Sequence, residues 1–282
     1  MKHILVTTDL SDCSEVALPV AAALQNAFSA SLTMLNVTDL AHQSEALARL
    51  HGLKLKHFPS QTISTEALCS EEGASQAIAE FVRSHAVDFI VVATHGRSGW
   101  KRLMVGSVTE DVIRECRCPV LVVPEHEHTR DSQHEGIHLV VATDLMPADV
   151  ALFRAAKDLL RGSTSKGVRL TLLHIAEDMT AATFGIGFGT STEEVRTELE
   201  QEAEQKLSTV ATQYFKEFPA MTTVLRAQRP VAEQLIDYIE SHDTDLLILA
   251  KRPKARVDRM LVGSVADRLI RHARRKLLVV PV

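Results

Sequence analysis

The chain repeats itself, and the repeat limits what it can fold into. The run from His3 to Leu10, HILVTTDL, recurs from His138 to Leu145 as HLVVATDL, 135 residues on. LMVGSV, from Leu103 to Val108, recurs as MLVGSV from Met260 to Val265, now 157 residues on, and Pro124 and Pro281 share that second offset. The second copy therefore carries 22 extra residues in its middle. Two tandem copies of one domain follow, each long enough to bury a core of its own. The expected division is a domain over 1–124, a linker over 125–136 and a domain over 137–282.

Within the first copy, strand and helix patterns alternate. Ile4 to Thr7 reads as a strand, and Asp12 to Glu15 as a capping box opening a helix from Cys13 to about Phe28. Leu32 to Val37 is a second strand, about Ala41 to His57 a second helix, and Ile63 to Cys69 a weaker strand. Ala74 to His85 is helical, with Ala77, Ile78, Phe81 and Val82 on the inner face. Phe89 to Ala93 and Pro119 to Pro124 are apolar runs suited to strands buried on both faces. Between them, Ser107 to Glu110 reads S-x-x-E, which places Ser107 at a helix N-cap. The fold class expected is α/β: two doubly wound domains, each a five-stranded, mainly parallel sheet with helices on both faces.

The extra residues of the second copy lie mostly between Asp178 and Pro219. They hold a glycine-rich apolar stretch, Phe184 to Gly189, and a long charged helix from about Thr192 to Phe218. The stretch lacks the G-x-G-x-x-G spacing and follows no strand directly, so it reads as a loop that packs on a partner or lids a pocket. Glu125 to Gly136 is polar and aperiodic, as a linker is. Its His126, His128 and His134 raise the alternative of a metal, in a tract with nothing behind the ligands to fix them.

Charge and cysteines exclude some classes. A net charge of −5 argues against general nucleic-acid binding. Residues 251–276 nevertheless hold ten Lys or Arg against Asp258 and Asp267, a local +8 that leaves −13 on the remainder. That segment reads either as an anion- or membrane-attracting patch or as a solvated face neutralised by the acidic remainder. Cys13, Cys69, Cys116 and Cys118 show neither zinc spacing nor a disulfide framework, and Cys116 with Cys118 cannot fill a tetrahedral site. No leader-like h-region and no apolar run of about 18 residues is present, so the expected location is the cytoplasm.

Ligands of open α/β sheets bind beyond the strand C-termini where the strand order reverses. Two loops meet there if the first and fourth strands are neighbours. One carries Thr7, Thr8 and Asp9; the other carries Ala93 to Gly96, with Gly106 and Ser107 at the next helix start. The second offers backbone amides, a helix dipole and the cations Arg97, Lys101 and Arg102. The first offers a carboxylate for a ribose or base edge. Polyphosphate at one end and nucleoside at the other is the arrangement suggested.

These residues also resemble a known family. Ala93-Thr-His-Gly96, nine residues, then Gly106-Ser107 looks like the universal stress protein motif G-x-x-G-x9-G-[S/T], with Ala93 in place of its first glycine. The opening ILVTTDLSDCSEVAL and closing CPVLVVP are similar to that family's first and last strands. The resemblance implies a strand order of 3-2-1-4-5, a role in the stress response, and ATP with Mg2+ as the ligand. Adenine and ribose would lie near Thr7, Thr8, Asp9 and Val37, and phosphates against Ala93, His95, Gly96, Arg97, Gly106, Ser107 and Val108. It also implies pairing through the last strand, made here within the chain as a pseudo-dimer, with Val120–Val123 against Leu277–Val280 and a homodimer as a further option.

Each residue has a plainer reading too. Asp9 suits a helix cap, Ser107 is an N-cap with or without a ligand, Gly96 and Gly106 suit tight turns, and Val37 suits a core. His95 has no visible base partner. No activated nucleophile, dedicated general base or acidic metal cluster is legible, so no catalytic residue and no protein metal site is assigned, and at most slow hydrolysis is expected.

The second copy departs from the pattern. Its loop reads Ala250-Lys-Arg-Pro253, so Pro253 stands where Gly96 stands. Proline has no N–H for a phosphate and a φ locked near about −65°, and losing one charge-assisted amide contact costs roughly 1.5–3 kcal/mol. ATP is expected in the first copy and not the second, where Lys251, Arg252 and Lys254 are left to hold some other anion. Two functions stay open: an ATP-binding regulatory protein, and an interaction scaffold acting through residues 184–189 and the basic C-terminal segment.

Overall fold

The computed structural model describes residues 1–94, 106–125, 136–162, 167–176, 192–252 and 264–282, with Thr192 and Ser264 described by backbone alone. In the first half, β1 (His3–Thr7), β2 (Ser31–Thr38), β3 (Ser64–Cys69), β4 (Phe89–Ala93) and β5 (Val120–Val123) alternate with α1 (Asp12–Glu15), α2 (Ala17–Phe28), α3 (Gln43–His57), α4 (Ala74–Ser84) and α5 (Ser107–Glu115). In the second half β6 (His138–Ala142), β7 (Arg169–Ala176), β8 (Ala220–Arg226), β9 (Leu246–Lys251) and β10 (Lys276–Pro281) alternate with α6 (Val150–Gly162), α7 (Thr192–Tyr214), α8 (Val231–Ser241) and α9 (Ser264–His272).

All ten strands form one sheet in the order β3-β2-β1-β4-β5-β10-β9-β6-β7-β8. Each half has its strands in the order 3-2-1-4-5, and every pairing within a half is parallel. The halves join where β5 meets β10 antiparallel, with Leu277 opposite Val122, Leu278 opposite Leu121 and Val279 opposite Val120. That is the strand pairing expected within the chain.

Side-chain alternation sorts the core into two layers. Ile4 and Val6 of β1 pack on the side covered by α2, α3 and α6, whereas Leu5 packs with residues of α4, α5, α8 and α9. Both layers run across the seam. Phe89 to Ala93 is buried throughout, which explains why its sequence shows no polar alternation.

Several boundaries differ from expectation, each for a local reason. The helix expected from Cys13 breaks after Glu15, because Pro19 has no N–H for the Glu15 carbonyl and its ring crowds that oxygen. Its N-cap is Ser11, whose side chain accepts from the Ser14 N–H, rather than Asp12. The second helix starts as a single 3-10 turn, Leu40–His42, capped by Asp39. In α4, Ala79 takes the buried place expected of Ala77, beside Ile78, Phe81 and Val82. The long charged helix stops at Tyr214, and Phe215, fully buried, pins the chain that follows.

The connection from β2 to β3 is 25 residues and that from β7 to β8 is 43, so most of the extra length sits where the repeat offsets put it. At the opposite edge from the strand C-termini, both halves carry one clasp. His3 and His138 share their ring nitrogens between a backbone carbonyl (His85, His242) and a threonine hydroxyl (Thr33, Thr171). Asp88 and Asp245 accept the backbone N–H groups of those same histidines.

Candidate functional site

The chain leaves β1 through a tightly bonded turn. The Thr8 N–H extends the ladder to the Leu35 carbonyl, while its buried hydroxyl meets Ser14 Oγ at 2.7 Å and accepts the Leu10 N–H at 3.0 Å. These contacts hold Leu10 at φ +65°, an uncommon conformation for a branched residue. Asn36 Nδ2 donates to the Thr8 carbonyl at 2.8 Å from inside β2. Asp9 Oδ1 accepts both the N–H and the hydroxyl of Ser11, at 3.0 and 2.5 Å. Asp9 is therefore not the helix cap; it braces the residue that is.

The second wall is the start of α5. Gly106 is the N-cap, since its carbonyl accepts from Thr109 N and Glu110 N, and its own N–H donates to the Thr94 carbonyl at 2.8 Å. Ser107 is thus the first helical residue, and the expected capping box does not form. Its glutamate is engaged elsewhere: Glu110 pairs with Arg271 of α9 at 2.7 Å, and burial still holds its carboxyl above the ordinary range. Thr109 Oγ1 donates to the Ala93 carbonyl at 2.9 Å and fixes α5 against the end of β4. By the geometry of a helix start, the N–H groups of Ser107 and Val108 have no acceptor within the helix.

Thr7, Thr8, Asp9, Val37, Ala93, Gly106, Ser107 and Val108 line one cleft of about 260 Å³, together with Ser14, Leu35, Ala74, Ile78 and Thr109. His95, Gly96 and Arg97, and Lys101 and Arg102, lie outside the described residues. A second hollow of about 390 Å³ adjoins it through Asp9 and Val37 and runs along β2 to His42, Glu45 and Arg49. Sequence reasoning missed Ser14 and Asn36. Ser14 reads as an ordinary first-turn serine, and Asn36 as a polar break in a strand.

A methyl group placed on Gly106 would meet, among the described residues, only the Thr94 carbonyl oxygen at 3.7 Å. Its φ of −60° and ψ of 135° suit any residue. Neither backbone strain nor packing against the described residues accounts for glycine there. Among the described residues there is no group of three or more His, Cys, Asp or Glu able to hold a metal ion.

The second half repeats the turn and alters its chemistry. Thr143 again closes on Leu145 N, and His174 takes the place of Asn36, donating from Nδ1 to the Thr143 carbonyl. Where Ser14 stood there is Asp149, completely buried, accepting from Thr143 Oγ1 at 2.6 Å. Arg252 Nη2 pairs with both Asp144 and Asp149. Burial pushes the Asp149 carboxyl above its usual range, and Arg252 and Thr143 pull against that shift.

Lys251 points the other way, donating to the carbonyls of Ile113, Arg114 and Cys116 at 2.8, 3.1 and 2.9 Å. The expectation that Lys251 and Arg252 hold an anion is thereby overturned: both are spent within the chain. Lys254 and Pro253 lie outside the described residues.

Other cations of the basic segment are also paired. Arg268 meets Glu233, Arg271 meets Glu110 and Asp267, and Arg275, nearly buried, lies 3.8 Å from Asp243. All four cysteines are free. A hydrogen bond to Glu125 raises Cys13 to about 11, and burial raises Cys116 to about 11 and Cys118 to about 12. Among the described residues no helix is long and apolar enough to cross a membrane.

The chain is similar in fold, over all of its length and 92% of the other, to a functionally unknown protein of Pseudomonas aeruginosa, with a TM-score of 0.75 at 15% identity. A universal stress protein from Archaeoglobus fulgidus superposes with a TM-score of 0.67 at 16% identity, covering 99% of this chain and 96% of that one. In sequence, a universal stress protein of Methanocaldococcus jannaschii is 30% identical over 138 residues, 43% of this chain and 81% of that protein. One of Mycobacterium tuberculosis is 24% identical over 200 residues, 70% of this chain and 62% of that protein. The universal stress protein family model matches residues 1–124 and again 138–281. The chain therefore belongs to the universal stress protein family and carries its domain twice.

Proposed function

We propose that the chain is a stress-response regulatory protein that binds ATP, with Mg2+, in the cleft of its first domain, with at most slow hydrolysis. The domains run 1–124 and 137–282 about a 125–136 linker, and the protein works in the cytoplasm. The observation that carries this reading is Gly106, a glycine that the described fold does not require, at a helix start lined by Ser107 and Val108. Leaving out a side chain there lets a phosphate approach the amides of the first turn. Asp9 and Val37, at the junction of the two hollows, suit a ribose and an adenine edge. Mg2+ would be carried chiefly by the phosphate oxygens and water, the usual manner for that ion. The second domain does not bind ATP: besides Pro253, a buried carboxylate, paired with the Arg252 guanidinium, stands where the first cleft has Ser14.

Calorimetry with Mg-ATP on the wild type and on Gly106→Asp tests this. Aspartate is a good N-cap, so α5 keeps its start, but its charge faces the phosphate. One site near micromolar, about −8 kcal/mol, is expected for the wild type, weakened roughly a hundredfold or more in the variant with melting unchanged. Equal binding by both proteins would place the nucleotide elsewhere.

A further inference from the structure

We propose that Lys251, from the second domain, is a positioning residue for the nucleotide cleft of the first. The inference rests on the nucleotide reading of that cleft. Helix α5 presents Gly106, Ser107 and Val108 at its N-terminal end, and its C-terminal end is held from across the seam. Lys251 Nζ donates to the carbonyls of Ile113, Arg114 and Cys116, all within 3.1 Å. An ammonium group has three protons to give, so one side chain closes the last turn, where helix carbonyls lack partners of their own. Arg271 grips the same helix near its start, through Glu110. The second domain thus clamps α5 at both ends.

Among the described residues the arrangement is one-sided. By the 157-residue offset, the first-domain counterpart of Lys251 is Thr94. The contacts described for Thr94 lie in its own half: it donates its N–H to the Val123 carbonyl and accepts Glu125 N at its hydroxyl. Arg114, the counterpart of Arg271, pairs with its own neighbours Asp111 and Glu115. The helix that receives the lysine cap is the one whose start lines the described cleft, and the lysine comes from the stretch whose own phosphate motif is broken. A cation at a helix C-terminus also offsets the negative pole there, which leaves the positive end that faces the phosphate, about 13 Å away along nine residues, less opposed.

The test is calorimetry of Mg-ATP and of adenosine with the full chain, as wild type, Lys251→Met and Lys251→Arg, with melting temperatures recorded. The expected result is an ATP affinity roughly fivefold lower in Lys251→Met, an adenosine affinity unchanged, and recovery of most of the loss in Lys251→Arg. Packing alone would weaken both ligands together. If the wild type binds ATP and Lys251→Met binds it within twofold, or loses adenosine equally, the positioning role is overturned while the nucleotide reading stands. If the wild type binds no ATP, both fall.

Discussion

Removing Arg252 should expose what the second cleft has become. Asp149 is completely buried and its carboxylate has two described partners besides Asp144: the Thr143 hydroxyl and the Arg252 guanidinium. Arg252→Ala leaves that charge with the hydroxyl and a second acid, Asp144, and no described cation. Breaking a fully buried pair costs about 3–5 kcal/mol. The Arg252 side chain is 32% exposed, so solvent screens part of the interaction and about 2–3 kcal/mol is expected at neutral pH. In a chain of this size that is roughly 5–10 °C in melting temperature. Because burial already raises the Asp149 pKa, the folded state holds its proton more tightly than the unfolded chain. Stability from this group is present at low pH and lost as pH rises through the folded pKa. Without Arg252 the pKa rises further, so the penalty should be largest at pH 7 and above and should shrink as the solution is acidified. Urea unfolding followed by circular dichroism, at pH 7 and pH 5, measures this directly. The double variant Asp149→Ser/Arg252→Ala should return to within about 1 kcal/mol of the wild type, a modest residual for exchanging one hydrogen bond for another. The first domain builds the same bond from Thr8 and Ser14 without a charge. An Arg252→Ala protein as stable as the wild type, or a double variant no better than the single, would refute the reasoning.

Two further outcomes are expected. Gly136 lies at φ +100°, and a methyl group on it would fall 1.8 Å from the Gly167 carbonyl oxygen; Gly136→Ala should cost about 2–4 kcal/mol, read by urea denaturation, and a cost under about 0.5 kcal/mol would contradict this backbone approach. Titration with a thiol reagent at pH 8 should show one fast cysteine, the exposed Cys69, lost in Cys69→Ala, with Cys13, Cys116 and Cys118 reacting on unfolding because their raised pKa values leave little thiolate.

Much of the fold was legible because buried parallel strands leave coarse marks. Phe89 to Ala93 and Val120 to Val123 are apolar without interruption, and the two repeat offsets located the insertion. Caps were harder. Ser11 and Asp12 are both good N-caps, and the choice between them is made by Asp9, whose carboxylate grips Ser11. Ser107 and Glu110 spell a capping box, but Arg271 draws Glu110 across the seam, a competition invisible to local sequence. Within the cleft, Asn36 could not be foreseen, since its partner is a backbone carbonyl 28 residues away. Asp149 could have been: the 135-residue offset pairs it with Ser14, and a carboxylate replacing a hydroxyl in the first turn after the strand is a readable change. Lys251 looked like a free cation because its acceptors, main-chain oxygens of the other domain, leave no trace in side-chain identity.

The antiparallel seam between β5 and β10 has a consequence for what such a protein can evolve. In an assembly of two identical subunits every substitution is made twice, so a residue cannot be spent on a partner without being lost from the partner too. Subunits also separate on dilution. Joining the halves covalently removes both restrictions: the contact is unimolecular at any concentration, and each side is free to specialise. Lys251 and Thr94, or Asp149 and Ser14, are corresponding positions of the repeat put to two uses, with a fixed stoichiometry of one half to the other.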